Sequence, residues 1–125
     1  MATKHVIVGA GPAGLAAAET LRALNGSARI TLVCDEPPYA RMALPYYLEG
    51  RVEERALHTG DAAWFESQDI RTRLGARASG LDAAAHQLLL DDGTSLEYDQ
   101  LLVATGSRVA VPEIEGANAP GVIPM

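Results

Sequence analysis

The sequence predicts an α/β fold: a parallel sheet with helices on both faces, carrying an antiparallel β-meander insertion. Three observations predict it. The apolar run Val6-Ile7-Val8 leads straight into Gly9-Ala10-Gly11-Pro12-Ala13-Gly14, where a helix opens. A second apolar, β-branched run ends at Cys34, closing a βαβ unit of about thirty residues whose crossover should be right-handed. Later in the chain the pattern shifts to short alternating segments that turn on Asp92-Gly93.

Each glycine of the first motif has a physical task. Gly9 permits the tight turn out of the strand, and Gly11, lacking a side chain, lets backbone approach a pyrophosphate. Gly14 allows the helix to pack closely on the strand. Pro12 suits the first helical turn, where its missing N–H has no partner to lose. The free amides and the positive end of the helix dipole then face an anion, and Ala13 contributes to that loop. This is the fingerprint of Rossmann-like, FAD- or NAD(P)-binding sheets, although such a motif alone is a weak signal.

The first helix is expected over Pro12–Leu24, with Leu15, Ala18, Leu21 and Leu24 as its apolar stripe and Asn25-Gly26 ending it. Arg29–Cys34 reads as a parallel strand covered on both faces, because its hydrophobicity is nearly continuous. Asp35 and Glu36 follow about twenty residues after Gly14, where the fingerprint expects a carboxylate to accept a ribose hydroxyl. An acid there would also repel a 2′-phosphate.

Residues 37–50 form a proline-stiffened loop entering a short helix, with Tyr39, Tyr46 and Tyr47 read as loop packing. Residues 51–57 are polar and expected to be exposed. Asp61 is placed to cap a short helix reaching Gln68, with Trp64 and Phe65 packing inward. Ile70–Leu74 reads as a short parallel strand, residues 76–81, 86–91 and 95–98 as the meander, and Leu101-Leu102-Val103 as a further buried strand ending in Ala104-Thr105-Gly106. Residues 109–125, with Pro112, Pro120 and Pro124, look like an exit segment.

Composition removes several functions. The chain has 125 residues, 48% hydrophobic and 21% charged, and fits one soluble globular domain at most. A net charge of −6, with Lys4 the only lysine and the arginines scattered, argues against nucleic acid or an anionic membrane as partner. Cys34 is the only cysteine, so there is no intrachain disulfide, CxxC pair or zinc framework, and a cytoplasmic location fits. His5, His58 and His86 stand apart and are read as exposed or locally hydrogen-bonded, not as metal ligands. The apolar N-terminal run is interrupted by glycines and Pro12 and is too short for a membrane span.

Taken in order, these motifs resemble the N-terminal FAD-binding segment of the pyridine nucleotide-disulfide oxidoreductase superfamily, in its ferredoxin, rubredoxin and nitrite reductase and NADH oxidase-like branch. The resemblance covers nearly the whole chain. It is carried by Gly9 to Gly14 with Asp35-Glu36, by Tyr39-Ala40-Arg41 leading to Leu44-Pro45-Tyr46-Tyr47-Leu48-Glu49-Gly50, and by Asp91-Asp92-Gly93 followed by Tyr98 to Ser107. It implies FAD as cofactor, with Gly9, Gly11, Pro12, Ala13 and Gly14 at the pyrophosphate and Asp35-Glu36 at the adenosine ribose. Arg41 would lie near the pyrophosphate and flavin side, the backbone at Ala78 against adenine, and Ala104, Thr105 and Gly106 would form the second FAD motif.

The resemblance also implies hydride transfer from NAD(P)H to flavin and onward to an electron acceptor. Met42 stands where thiol-using relatives carry a redox cysteine, and a thioether forms no thiolate. The CxxxxC of disulfide reductases is absent. Thiol–disulfide chemistry is therefore not expected, and Cys34 is read as structural. Tyr46 falls close to the slot of a lysine that some ferredoxin reductases carry near the flavin.

Relatives continue into an NAD(P)H domain with its own glycine motif and then return to the FAD domain. The chain is thus expected to be an incomplete domain, completed by that missing domain or by a partner subunit, inactive toward NADH alone and weak in holding FAD. An exposed sheet edge would suit a homodimer. Two other readings stay open: a standalone, non-catalytic FAD- or adenine-nucleotide-binding module or split-enzyme subunit, and a small NAD-binding domain of an unrelated dehydrogenase. The 39–50 loop and Ala104-Thr105-Gly106 argue against the last.

Overall fold

The computed structural model describes residues 1–123; Pro124 and Met125, the end of the expected exit segment, lie outside the described residues. In chain order the elements are β1 (Lys4–Val8), α1 (Pro12–Leu24), β2 (Arg29–Cys34), α2 (Leu44–Leu48), α3 (Ala62–Ser67), β3 (Ile70–Leu74), β4 (Ala78–Asp82), β5 (Gln87–Leu90), β6 (Ser95–Glu97) and β7 (Gln100–Val103). Single 3-10 turns occupy Arg41–Ala43 and Glu54–Leu57. Four parallel strands form one sheet in the order β3-β2-β1-β7, and β4-β5-β6 form a separate antiparallel sheet. Val8 lies opposite both Val33 and Val103, so the central strands finish at one rim.

The parallel sheet divides two cores. On one side Ile7, Ile30 and Leu32 pack with Leu15 and Ala18 of α1 and Phe65 of α3. On the other, Val6, Val8 and Val33 pack with Leu88, Leu90 and Tyr98 of the meander. The two main helices thus cover one face among the described residues, and the meander covers the other. Ile7, Ile30, Leu32 and Val33 are fully buried, and each contributes about 1.5–3 kcal/mol of hydrophobic stabilisation.

α1 begins and ends where the sequence pattern puts it, but two details differ. Leu24, expected on the apolar stripe, is 81% exposed. A strict three-residue repeat drifts around a helix of 3.6 residues per turn, and nine residues after Leu15 it has rotated by about 180°. Gly26 does not end the helix through a left-handed turn. Instead the Asn25 N–H bonds the Leu21 carbonyl (2.9 Å), the Asn25 amide oxygen accepts from both the amide and hydroxyl of Ser27, and Arg22 bonds the Gly26 carbonyl (2.7 Å).

α3 forms as expected. Asp61 accepts the Trp64 N–H at 2.8 Å, Phe65 is buried, and the two rings meet edge to face at 5.0 Å. The 51–57 stretch, expected to be exposed throughout, buries Leu57. Its carbonyl accepts the Ala40 N–H (2.7 Å), and Tyr39 pairs with His58, docking the stretch beneath the proline loop.

His5 departs from the expected exposure, because on β1 its side chain shares the buried face of Ile7. His86 stays near the surface, its Nδ1 3.2 Å from the Tyr98 carbonyl and its ring stacked on Tyr98 at 5.2 Å.

The meander begins at Ala78 rather than Ala76, because the main-chain groups of Arg77 are taken by Asp91. Gly93 (φ +82°) makes the expected turn, with the Asp92 carboxylate accepting from Thr94. β7, expected to be buried, leaves Leu102 and Val103 40% and 63% exposed. Its hydrophobic run predicts cover on both faces, but among the described residues β7 is an edge strand paired with β1 alone.

Candidate functional site

Where β1, β2 and β7 end, their following loops enclose a cleft of about 790 Å³, within the size range of small-molecule sites. Its walls are residues 9–13, residues 33–39 with Arg41, residues 76–78, and residues 104–108. Of the residues singled out from the sequence, Gly9, Gly11, Pro12, Ala13, Asp35, Glu36, Arg41, Ala78, Ala104, Thr105 and Gly106 all line it. Gly14 alone does not. It stands behind the wall, where an added Cβ would lie 1.9 Å from the Gly9 carbonyl oxygen.

The glycine loop is held by main chain. Gly9, at φ +109°, donates its N–H to the Val33 carbonyl (2.8 Å), and a Cβ there would lie 2.2 Å from the Ala104 carbonyl oxygen. Ala104 in turn donates to the Val8 carbonyl (2.8 Å), so the loops after β1 and β7 are locked together. Gly11 differs: a Cβ there meets nothing within 4 Å. Its missing side chain keeps the cleft open instead of relieving a clash. Pro12 begins the helix, no side chain caps it, and the first helical bond runs from the Leu15 N–H to the Gly11 carbonyl. The first-turn amides of α1 therefore have no partner within the helix.

The wall that follows β2 is charged, and there each acid carries an arginine. Asp35 accepts from the Arg77 guanidinium at 2.7 Å, and Glu36 from Arg41 at 2.6 Å, with the Arg41 guanidinium 5.4 Å from the Tyr39 ring centre. The hydrogen bond from Arg77, reinforced by the charges of Arg77 and Arg41, holds the Asp35 carboxyl below the usual carboxylate range. Arg41 lines the cleft, and its charge is engaged by Glu36.

Nothing in the sequence singles out Arg77. Its partner lies 42 residues away, and an isolated arginine before a strand carries no local signal.

Cys34 is buried, and its thiol donates to the Glu36 carbonyl. Burial pushes the thiol's pKa up, with the neighbouring carboxylates adding to the effect, as suits a structural cysteine. Met42 is 86% exposed on the 3-10 turn. Among the described residues no cluster of His, Cys, Asp or Glu could hold a metal, and no helix is long and apolar enough to cross a membrane.

The residues present fit a dinucleotide. Unpartnered helix amides and a glycine opening suit a diphosphate. Asp35 and Glu36, the only carboxylates on the described walls, follow the end of β2 and suit sugar hydroxyls.

The family model for pyridine nucleotide-disulphide oxidoreductases matches residues 3–123. The chain is 45% identical over 112 residues to the ferredoxin–NAD(+) reductase component of the anthranilate 1,2-dioxygenase system of Burkholderia cepacia, covering 86% of this chain and 27% of that protein. It is 40% identical over 120 residues to rhodocoxin reductase of Rhodococcus erythropolis, covering 94% and 28%. The solved ferredoxin reductase from Rhodopseudomonas palustris superposes with a TM-score of 0.85 at 32% identity, over 97% of this chain and 30% of that one. The chain thus spans less than a third of the length of these relatives.

Proposed function

The chain belongs to the pyridine nucleotide-disulphide oxidoreductase family, and from that premise we propose that it is the FAD-binding part of an NAD(P)H-dependent flavoprotein reductase that serves a ferredoxin-type acceptor. One observation carries the reading. Four segments scattered from Gly9 to Arg108 converge on one cleft that brings helix amides and two carboxylates together. The relatives named as ferredoxin reductases supply the acceptor class.

When bound, the flavin supplies the hydride and one-electron chemistry. The chain's own residues bind and orient it. The loop from Gly9 to Gly14 presents α1 first-turn amides to the diphosphate, and Gly11 leaves room for it. Asp35 and Glu36 accept from the adenosine ribose. The main chain around Ala78 borders the adenine, and Ala104-Thr105-Gly106 closes the opposite wall. Arg41 stands at the rim where a guanidinium is available to the diphosphate once Glu36 releases it. No nucleophile or acid–base pair is required, and Met42 in place of a thiol fits single flavin chemistry without a disulfide relay. The NAD(P)H site and the remaining FAD contacts belong to the rest of the protein or to a partner subunit. The exposed edge at β7 is a candidate surface for that partner or for a second copy.

Titration of the purified protein with FAD, FMN and NAD+, read by flavin fluorescence quenching and by the rise in Tm, tests the proposal. FAD should raise Tm most. A preference for NAD+, or no response to FAD, would refute it.

A further inference from the structure

The Asp91-Asp92-Gly93 motif and Arg77 have no part in the binding scheme above, yet they are physically joined to it. Arg77 is gripped by Asp91 on both sides of its main chain. Its N–H donates to the Asp91 carboxylate (3.0 Å), and its carbonyl accepts the Asp91 N–H (2.9 Å). From that fixed base its guanidinium crosses to the Asp35 carboxylate at 2.7 Å. A chain of contacts therefore runs from the meander, through Arg77, to the carboxylate at the end of β2, and Ala78 is the next residue along.

We propose that Arg77 is a positioning residue for adenosine recognition: anchored by Asp91, it holds one oxygen of Asp35, leaves the other for a ribose hydroxyl, and sets the spacing between Asp35 and the Ala78 backbone. The inference deepens the FAD reading and rests on it. A lone carboxylate at this half-exposed rim samples several rotamers, whereas one tied to an anchored guanidinium presents one lone pair in one direction. The arrangement also keeps Asp35 ionised. The groups facing Asp35 are Arg77 from the approach to β4, Arg41 from the 3-10 turn, and Cys34 and Glu36 beside it in the chain, with Arg77 dominant. Its carboxyl is held low, so the acceptor persists until the pH falls through that lowered value. Without Arg77 it is lost at higher pH.

The test is FAD titration of the unaltered protein, Arg77→Gln, Arg77→Lys, Asp35→Asn and the double variant Arg77→Gln/Asp35→Asn, across pH 2.5 to 8, with Tm measured in parallel. Arg77→Gln should weaken FAD binding about three- to tenfold at pH 7 and move the acid limb of binding upward. Arg77→Lys, which keeps the charge but not the planar fork, should lose about two- to threefold and so carries the comparison even if Arg77→Gln folds poorly. With Asp35→Asn already in place, Arg77→Gln should add less than about twofold, because Arg77 acts through that carboxylate.

Three results would overturn the role of Arg77 alone: unchanged binding in Arg77→Gln, fully additive losses in the double variant, or an acid limb that does not move. Absence of FAD binding in the unaltered protein would instead overturn the FAD reading and this inference with it.

Discussion

The three glycines of the first loop are not equivalent, and substituting Gly14 and Gly11 in turn with alanine separates folding from binding. Gly14→Ala places a Cβ 1.9 Å from the Gly9 carbonyl oxygen, short of the 3.4 Å of ordinary contact by about 1.5 Å. The obstacle is backbone on both sides, so no rotamer relieves it, and α1 must move off β1 by a comparable distance. Leu15 and Ala18, whose burial depends on that approach, loosen with it. Overpacking of this kind costs about 1–3 kcal/mol, and looser packing along the displaced helix adds to it. Alanine's helix propensity returns about 1 kcal/mol.

A net destabilisation of about 1–3 kcal/mol is expected, seen as a Tm lowered by roughly 3–12 °C in a domain of this size. Gly11→Ala should do the reverse: its Cβ meets nothing within 4 Å, so Tm stays within about 2 °C while FAD affinity falls at least about tenfold. Thermal melts followed by circular dichroism, paired with FAD titration, read both. If Gly14→Ala melts at or above the unaltered protein, the inferred helix–strand contact is wrong. If Gly11→Ala binds FAD normally, the diphosphate does not approach there.

Three further outcomes are expected. Asp61→Ala removes the side-chain cap at the start of α3, and urea denaturation should show about 1 kcal/mol of lost stability, with unchanged stability disproving the cap. Cys34, buried and with its thiol pKa raised, should react with iodoacetamide at pH 8 at least about tenfold more slowly in the folded protein than in urea, and equal rates would show an accessible thiolate. Asp35→Asn should cost no more than about 1 kcal/mol near neutral pH, because the ion pair is half exposed. A carboxyl whose folded pKa is depressed contributes above the unfolded value and loses that contribution as pH falls through the folded one. The gap between Asp35→Asn and the unaltered protein should therefore close on acidification through that lowered value, and a gap that widens instead would contradict the pairing.

The parts legible in the sequence are those specified by neighbours along the chain. Periodicity and turn chemistry delimit α1, β2 and β3 to the residue, and Asp61 announces its own helix. The walls of the cleft are legible too, because the glycine loop, Asp35 and Ala104 each follow a strand end, and strand ends share a rim in a parallel sheet. What escapes depends on distance. Leu57 is buried by docking under a loop, which its polar surroundings conceal. The exposure of β7 follows from an edge position that its own hydrophobic residues cannot report. Arg77 gains its meaning only from Asp35 and Asp91, neither adjacent to it in sequence.

The contact between Gly9 and the Ala104 carbonyl joins the loop after the first strand to the loop after the last. The cleft is therefore complete only when β7 lies beside β1, a pairing of residues about ninety-five apart in the chain, whose closure carries a loop-entropy cost. A nucleotide that touches both loops would stabilise only chains in which this pairing is made.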